Sequence, residues 1–209
     1  MMLDWPARVS RHFREARMQR FLREIPLTPE TRVLDVGGAP ETWANLPLRP
    51  RVVILNMPRA AEAFGEILAV GGDGCALPFA DQSFDVVFSN SVIEHVGSWE
   101  KQQRFAAEVA RVGRRYWVQT PNRGFPVETH LLTPFLHWLP RALQEIIAPR
   151  FTVWSMLTKA SADQRAWYVR HFLDDIKLLD AGQVSALFPG ATLIRERAGG
   201  FVKSLIAMR

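Results

Sequence analysis

The sequence holds one cysteine, Cys75, among 209 residues. No disulfide can close within the chain, which excludes a disulfide-stapled secreted fold. No apolar run reaches the ~18 residues of a membrane-spanning helix; the most apolar stretch, Leu131 to Leu157, is broken by Arg141, Glu145 and Arg150. The opening Met1-Met2-Leu3-Asp4-Trp5 lacks the basic and apolar regions of a secretory signal, so a cytoplasmic location is expected. The dinucleotide fingerprint G-x-G-x-x-G is missing, since Gly37 is followed by Gly38, Ala39, Pro40, Glu41 and Thr42; this counts against NAD and FAD. There is no P-loop and no G-x-S-x-G elbow. No His/Cys/Asp/Glu set shows convincing metal-ligand spacing, so no metal is expected. Internal repeats, low-complexity stretches and composition shifts are absent, and a single domain over 1–209 is expected.

Lysine is scarce, at Lys101, Lys159, Lys177 and Lys203, and arginine makes up the remaining 22 of the 26 basic residues, which against 21 acidic ones leave a net charge of +5. Two readings stand: a coding preference for arginine, or an anionic substrate or acidic membrane surface. Arginine recurs at Arg8, Arg11, Arg14, Arg17, Arg20 and Arg23. On a helix each step of three turns through roughly 300°, so the set spreads around the circumference instead of forming one stripe. Nucleic acid is therefore not an expected partner.

Residues 5–24 read as a helix closed by Pro26 and Pro29. Thr31–Val36, Arg51–Leu55, Ile67–Val70, Phe84–Ser89 and Tyr116–Gln119 read as strands whose nearly continuous apolar runs suit burial on both faces. Ser98 is placed to cap a helix that runs to about Val112 and ends at Gly113. Residues 122–175, rich in Trp, Pro, Phe and His, read as a lid-like insertion that is helical in pieces. Gly182–Leu187 is a short helix, and Thr192–Glu196 and Phe201–Ala207 flank Gly199-Gly200 as a terminal hairpin. Alternating strands and helices predict a mostly parallel α/β sheet with helices on both faces. Ligands of such sheets bind beyond the carboxyl ends of the strands, near the switch in strand order.

Four segments fall at those ends. In Val33-Leu34-Asp35-Val36-Gly37-Gly38 a glycine turn follows a buried strand, letting the backbone approach a ligand while Asp35 suits a cationic group. Asn56 ends the second strand, as a ribose ligand or as an ordinary turn residue. Asp73, in Gly72-Asp73-Gly74-Cys75-Ala76-Leu77-Pro78-Phe79, is either an acceptor for an adenine amino group or part of a polar turn before core residues. Ser83 to Val96, containing Asn90, Glu94 and His95, puts small polar groups at the tip of the fourth strand.

In this order and spacing the four segments resemble the class I S-adenosylmethionine-dependent methyltransferases, especially the type 11 group, over residues 31–122. The resemblance implies a Rossmann-like seven-stranded sheet ending in an antiparallel hairpin, with S-adenosylmethionine as cofactor. It implies that Asp35, Gly37 and Gly38 hold the methionine moiety, Asn56 the ribose, and Asp73, Cys75 and Ala76 the adenine, with Asn90 facing the methyl donor. Two positions depart from the family pattern: Ala39 replaces the second glycine of D-x-G-x-G, and Asn56 replaces an acidic ribose ligand. They leave open a non-catalytic cofactor-binding protein of the same fold. A nucleic-acid methyltransferase is disfavoured, because Ser89-Asn90-Ser91-Val92 stands where an N-P-P-[YF]-like tetrapeptide is expected.

The acceptor side centres on Thr120 to His130. Asn122 and Arg123, with His95, are candidate substrate ligands, and Glu128 and His130 candidate base and orienter. Glu128 and His130 are equally readable as groups that fix the following helix; packing is favoured for His95, and structural roles for His137 and His171. The apolar side chains of 131–157 pack on their own domain, grip an amphipathic acceptor or rest on a membrane surface. The expected reaction is methyl transfer, at oxygen, to a small-molecule or lipid-linked acceptor of anionic or amphipathic character.

Overall fold

The computed structural model describes residues 5–44, 46–57 and 67–209. Met1 to Asp4, part of the opening examined for a targeting signal, lie outside the described residues. After helix α1 (Trp5–Glu24) the chain enters β1 (Arg32–Val36), passes a short α2 (Glu41–Ala44), and continues through β2 (Arg51–Asn56), β3 (Leu68–Gly71) and β4 (Phe84–Asn90). Helix α3 (Trp99–Val112) then leads into β5 (Gly113–Pro121). The C-terminal part carries α7 (Ala181–Leu187) and the hairpin β8 (Thr192–Ala198) and β9 (Phe201–Met208). These strands make one seven-stranded sheet in the order β3-β2-β1-β4-β5-β9-β8. β1 to β5 pair in parallel, and β9 runs antiparallel to both β5 and β8.

The apolar strands are explained by their two covered faces. In β1, Leu34 and Val36 point into the core built with Phe105 and Val109 of α3 and Val184 and Leu187 of α7. Val33 points to the opposite side, with Phe21 of α1 and Trp43 of α2. The same alternation runs through β4, where Val87 faces α3 while Val86 and Phe88 face α1.

Ser98 caps α3, accepting from Lys101 N at 3.4 Å. The helix ends at Gly113 as expected, and this glycine serves a further purpose. Its φ is −99° and it opens β5 without a loop. A Cβ there would stand 2.6 Å from Val87 Cγ2, so glycine permits close helix–sheet contact. At the hairpin tip Gly199 and Gly200 adopt φ of +55° and +84°, the two positive angles a tight two-residue turn requires.

Between β5 and α7 the chain forms the small hairpin β6 (Val127–Glu128) and β7 (Thr133–Pro134), then helices α4 (Arg141–Ile147), α5 (Val153–Thr158) and α6 (Ala162–Asp174). Leu131, Leu136, Ala148, Val169, Phe172 and Leu173 give this part a small core of its own. α6 begins with a capping box between Ser161 and Gln164.

Candidate active site

The order of strands reverses between β1 and β4, and a cleft of ≈ 800 Å³ opens at their carboxyl ends. Asp35, Gly37, Gly38, Phe88 and Asn90 line its floor, and Arg11, Arg14, Arg17 and Met18 of α1 line its wall. The arginine spread expected from the three-residue spacing holds for the six together. Three successive members turn through only about 120°, which lets Arg11, Arg14 and Arg17 share one wall.

Asp35 is fully buried. Its Oδ2 accepts from Trp43 Nε1 at 2.7 Å, and its Oδ1 has no hydrogen-bond partner among the described residues. Burial pushes its carboxyl up to about 7, against the lowering effect of the Trp43 bond. Gly37 takes φ of +74°, where side chains are disfavoured. Gly38 lies against the carboxylate: a Cβ there would stand 1.7 Å from Asp35 Oδ2. Asn56 Nδ2 donates to Gly38 O at 3.0 Å, tying the end of β2 to the same turn.

Asn56, Asp73, Cys75 and Ala76 are not among the cleft-lining residues. Asp73 Oδ1 accepts from Cys75 N at 2.8 Å, an Asx-type turn stabilised locally. The Cys75 thiol lies 3.4 Å from Lys101 O, and burial together with the Asp73 charge pushes it up to about 11. The flanking Gly72 and Gly74 pack against Leu55 and Val36, so the turn sits beside the carboxyl ends of β1 and β2.

Asn90 meets Arg17, whose Nη1 donates to Asn90 Oδ1. The rest of the buried Arg17 guanidinium grips Glu196 of β8, Nε to Oε1 at 3.2 Å and Nη2 to Oε2 at 2.7 Å. This arginine had no distinguishing mark in the sequence, because its partner lies 179 residues away.

A second polar cluster follows β4. Ser91 adopts φ of +58° and swings the chain into a single 3₁₀ turn, Ile93–His95. Glu94 on that turn is fully buried; its Oε2 accepts from the Thr120 hydroxyl at 3.1 Å, while Oε1 has no hydrogen-bond partner among the described residues. Burial pushes its carboxyl up to about 7. The His95 imidazole is pushed down to about 4 by burial and by the neighbouring His130 and His171. His130, in the loop between β6 and β7, lies edge-on to His95 with ring centroids 5.1 Å apart. Its Nδ1 bonds Glu128 Oε1 at 2.6 Å. Burial disfavours the His130 cation, but the Glu128 bond and the charges of Glu128 and Glu94 outweigh it and raise the imidazole above its ordinary value.

Glu128 and His130 are therefore adjacent, and His95 joins them. Glu128 is fully buried and also accepts from the backbone N–H of His130 and Leu131, so it shapes its own loop as well as orienting the imidazole. Asn122 is committed elsewhere: its Nδ2 donates to Val202 O at 2.8 Å and its Oδ1 accepts from Gly124 N. Arg123 pairs with Asp180, the N-cap of α7. The sequence gives Glu94 no role of its own although it stands next to His95. Its buried oxygen, unpaired among the described residues, becomes evident only once β5 supplies Thr120 beside it.

The methyltransferase domain family matches residues 53–115, from within β2 into β5. No curated protein sequence matches the chain. Among solved structures, a Rhodobacter sphaeroides protein described as a Zn-dependent alcohol dehydrogenase is 12% identical, with 91% of this chain and 87% of that one covered and a TM-score of 0.58. A structure of PigF with SAH is 15% identical, with 92% and 60% covered and a TM-score of 0.52. Haemonchus contortus phosphoethanolamine N-methyltransferase 2, in complex with phosphomonomethylethanolamine and S-adenosylhomocysteine, is 15% identical, with 86% and 38% covered and a TM-score of 0.51. At these identities the structures speak for the fold, and the family match speaks for the domain. That match falls on strands framing the cleft, and with the order of the sheet it makes this part of the chain similar to the class I S-adenosylmethionine-dependent methyltransferases.

Proposed function

We propose that the chain transfers a methyl group to a hydroxyl oxygen of a small or lipid-linked amphipathic acceptor. The cofactor fits the cleft on two counts. The buried Asp35 Oδ1 is an acceptor in want of a cationic donor, and Gly38 leaves open the space a Cβ would fill against that carboxylate. A volume of ≈ 800 Å³ is within the range of about 300–1,000 Å³ typical of ligand pockets. Asp35 and the Gly37-Gly38 turn would hold the methionine portion, with Arg11 and Arg14 facing its carboxylate. Asn56 would reach the ribose, Asp73, Cys75 and Ala76 the adenine, and Asn90 would stand near the methyl end. Bound there, S-adenosylmethionine supplies a methyl group already activated by a sulfonium charge.

The observation that carries the oxygen assignment is the Glu128–His130 pair. A hydroxyl acceptor has a proton to lose, and the buried Glu128 holds the Nδ1 side of His130, leaving Nε2 to receive that proton. Glu128 acts as a positioning residue through the imidazole. The amphipathic character rests on the segment between β5 and α7, where Phe135, Trp138, Leu143, Ile146, Phe151 and Trp167 are exposed. Such a concentration of apolar side chains marks a surface for an apolar molecule.

The test uses S-adenosylmethionine carrying a labelled methyl group and fractions of a cell extract. Label is expected in an organic-extractable product as a methoxy group. His130→Ala should lower the rate about 10²–10⁴-fold, the usual contribution of a positioned proton acceptor, and leave cofactor affinity unchanged. Label on nitrogen or carbon, or full activity of the variant, contradicts the assignment.

A further inference from the structure

Glu94, His95 and His130 bring one carboxylate oxygen and two imidazole nitrogens within 4.8 Å of one another. Three features of the cluster point to a bound cation. Glu94 Oε1 is buried without a hydrogen-bond partner among the described residues, although buried carboxylate oxygens are ordinarily satisfied. Its sister oxygen is already taken by Thr120, so the free one is held at a fixed orientation, 3.9 Å from His95 Nε2. His130 bonds a buried carboxylate through Nδ1, which leaves Nε2 as its outward donor. A carboxylate behind an imidazole is the arrangement that orients metal-ligating histidines.

The supports of the cluster are built in. Glu94 and His95 sit on a 3₁₀ turn at the end of a central strand, and His130 is clamped by the hairpin that carries Glu128. His171 of α6 stacks on His95 with centroids 5.6 Å apart and planes 8° from parallel, and its Nδ1 bonds Asp175 at 2.8 Å. Donors around an ion at about 2.0–2.2 Å stand roughly 3.4 Å apart in a tetrahedral site. Binding would therefore draw the three atoms inward, and His95, about a third exposed, has room to turn.

We infer that Glu94, His95 and His130 bind a divalent transition-metal ion such as Zn²⁺, Mn²⁺, Fe²⁺ or Co²⁺, with open positions for an acceptor oxygen. Two imidazoles select such ions over Mg²⁺ or Ca²⁺, which prefer all-oxygen sites. Three protein ligands leave coordination positions for water or substrate. The inference rests on the proposed transfer to oxygen and changes one role in it: a hydroxyl on the ion would ionise more readily, its proton passing to solvent, and His130 Nε2 would be a ligand in place of the proton acceptor.

The test is titration of chelator-treated full-length protein with Co²⁺, read by visible ligand-field absorption. S-adenosylhomocysteine binding is measured on the same samples. One Co²⁺ per chain is expected to saturate the wild type. His95→Ala and His130→Ala should each lose the band while keeping S-adenosylhomocysteine affinity, which shows that the fold persists. Glu128→Gln should weaken Co²⁺ about 10–100-fold, as removal of an outer-shell partner does. No saturable band in the wild type, or an undiminished band in both histidine variants, overturns the site. If Co²⁺ fails to bind while His130→Ala still loses turnover, the metal falls and the proton-acceptor reading stands.

Discussion

Trp43 donates its indole N–H to Asp35 Oδ2 at 2.7 Å, which leaves Asp35 Oδ1 buried and, among the described residues, unpaired at the floor of the cleft. One oxygen is thus fixed by the fold while its neighbour awaits a donor. A cation such as an α-ammonium group supplies that donor, and a hydrogen bond to a charged partner is worth about 1.5–3 kcal/mol. Asp35→Asn keeps an acceptor for Trp43 and removes the charge. S-adenosylhomocysteine affinity should fall about 10–150-fold in this variant by calorimetry, with the fold retained. Unchanged affinity would place the ammonium elsewhere.

The same carboxyl makes stability depend on pH. In the folded protein it holds its proton up to about 7, whereas the unfolded chain releases it near 3.8. Between those values the folded state binds the extra proton, so this group's contribution to stability declines as pH rises from about 4 to about 7 and levels off above. Denaturant unfolding of wild type and Asp35→Asn across that range should show the wild type losing stability relative to the variant as pH rises. A difference independent of pH would mean that Asp35 is ionised throughout. Cofactor binding should also weaken about tenfold per pH unit below 7, since the carboxyl must first lose its proton.

Gly38 offers a steric test. Gly38→Ala puts a methyl group on the Asp35 carboxylate, so either the turn or the Asp35–Trp43 bond must shift. A loss of about 1–3 kcal/mol in stability is expected, together with loss of cofactor binding. Adding Asp35→Ala removes the obstructing atoms; the double variant should regain stability in denaturant unfolding without regaining affinity. If the double variant is no more stable than Gly38→Ala, the clash is not with Asp35.

Arg17 fastens the N-terminal helix to the terminal hairpin over Asn90. Replacing Arg17 takes the two-point partner from the part-buried Glu196 and leaves it Lys203 at 3.8 Å; charged hydrogen bonds of this kind are worth about 1.5–3 kcal/mol. Arg17→Met should approach that loss in denaturant unfolding. The Arg17→Met, Glu196→Gln double variant should be more stable than Arg17→Met, because no part-buried carboxylate is then left with Lys203 alone. Additive losses would show that the pair is not coupled.

The sheet was legible because its strands are covered on both sides: Val33-Leu34 and Val86-Val87 send alternate side chains to opposite cores, which leaves continuous apolar runs in the sequence. The glycine turn after Asp35 was legible for the same local reason. Trp43, Arg17 and Glu94 were not, because each acquires its meaning from a partner brought by another part of the fold: Asp35 for Trp43, Glu196 for Arg17, Thr120 and His130 for Glu94. The stretch after β5 also resisted reading. Its helices α4 and α5 are only 7 and 6 residues long, too short to establish an amphipathic period.

The most direct measurement is a calorimetric titration of S-adenosylhomocysteine into the full-length protein and into Asp35→Asn at pH 7.5 or above, roughly where the Asp35 carboxyl is ionised. A cleft built around a waiting carboxylate predicts one saturable site per chain in the wild type and a clearly weaker one in the variant. Absence of saturable binding in the wild type would contradict the account at its centre.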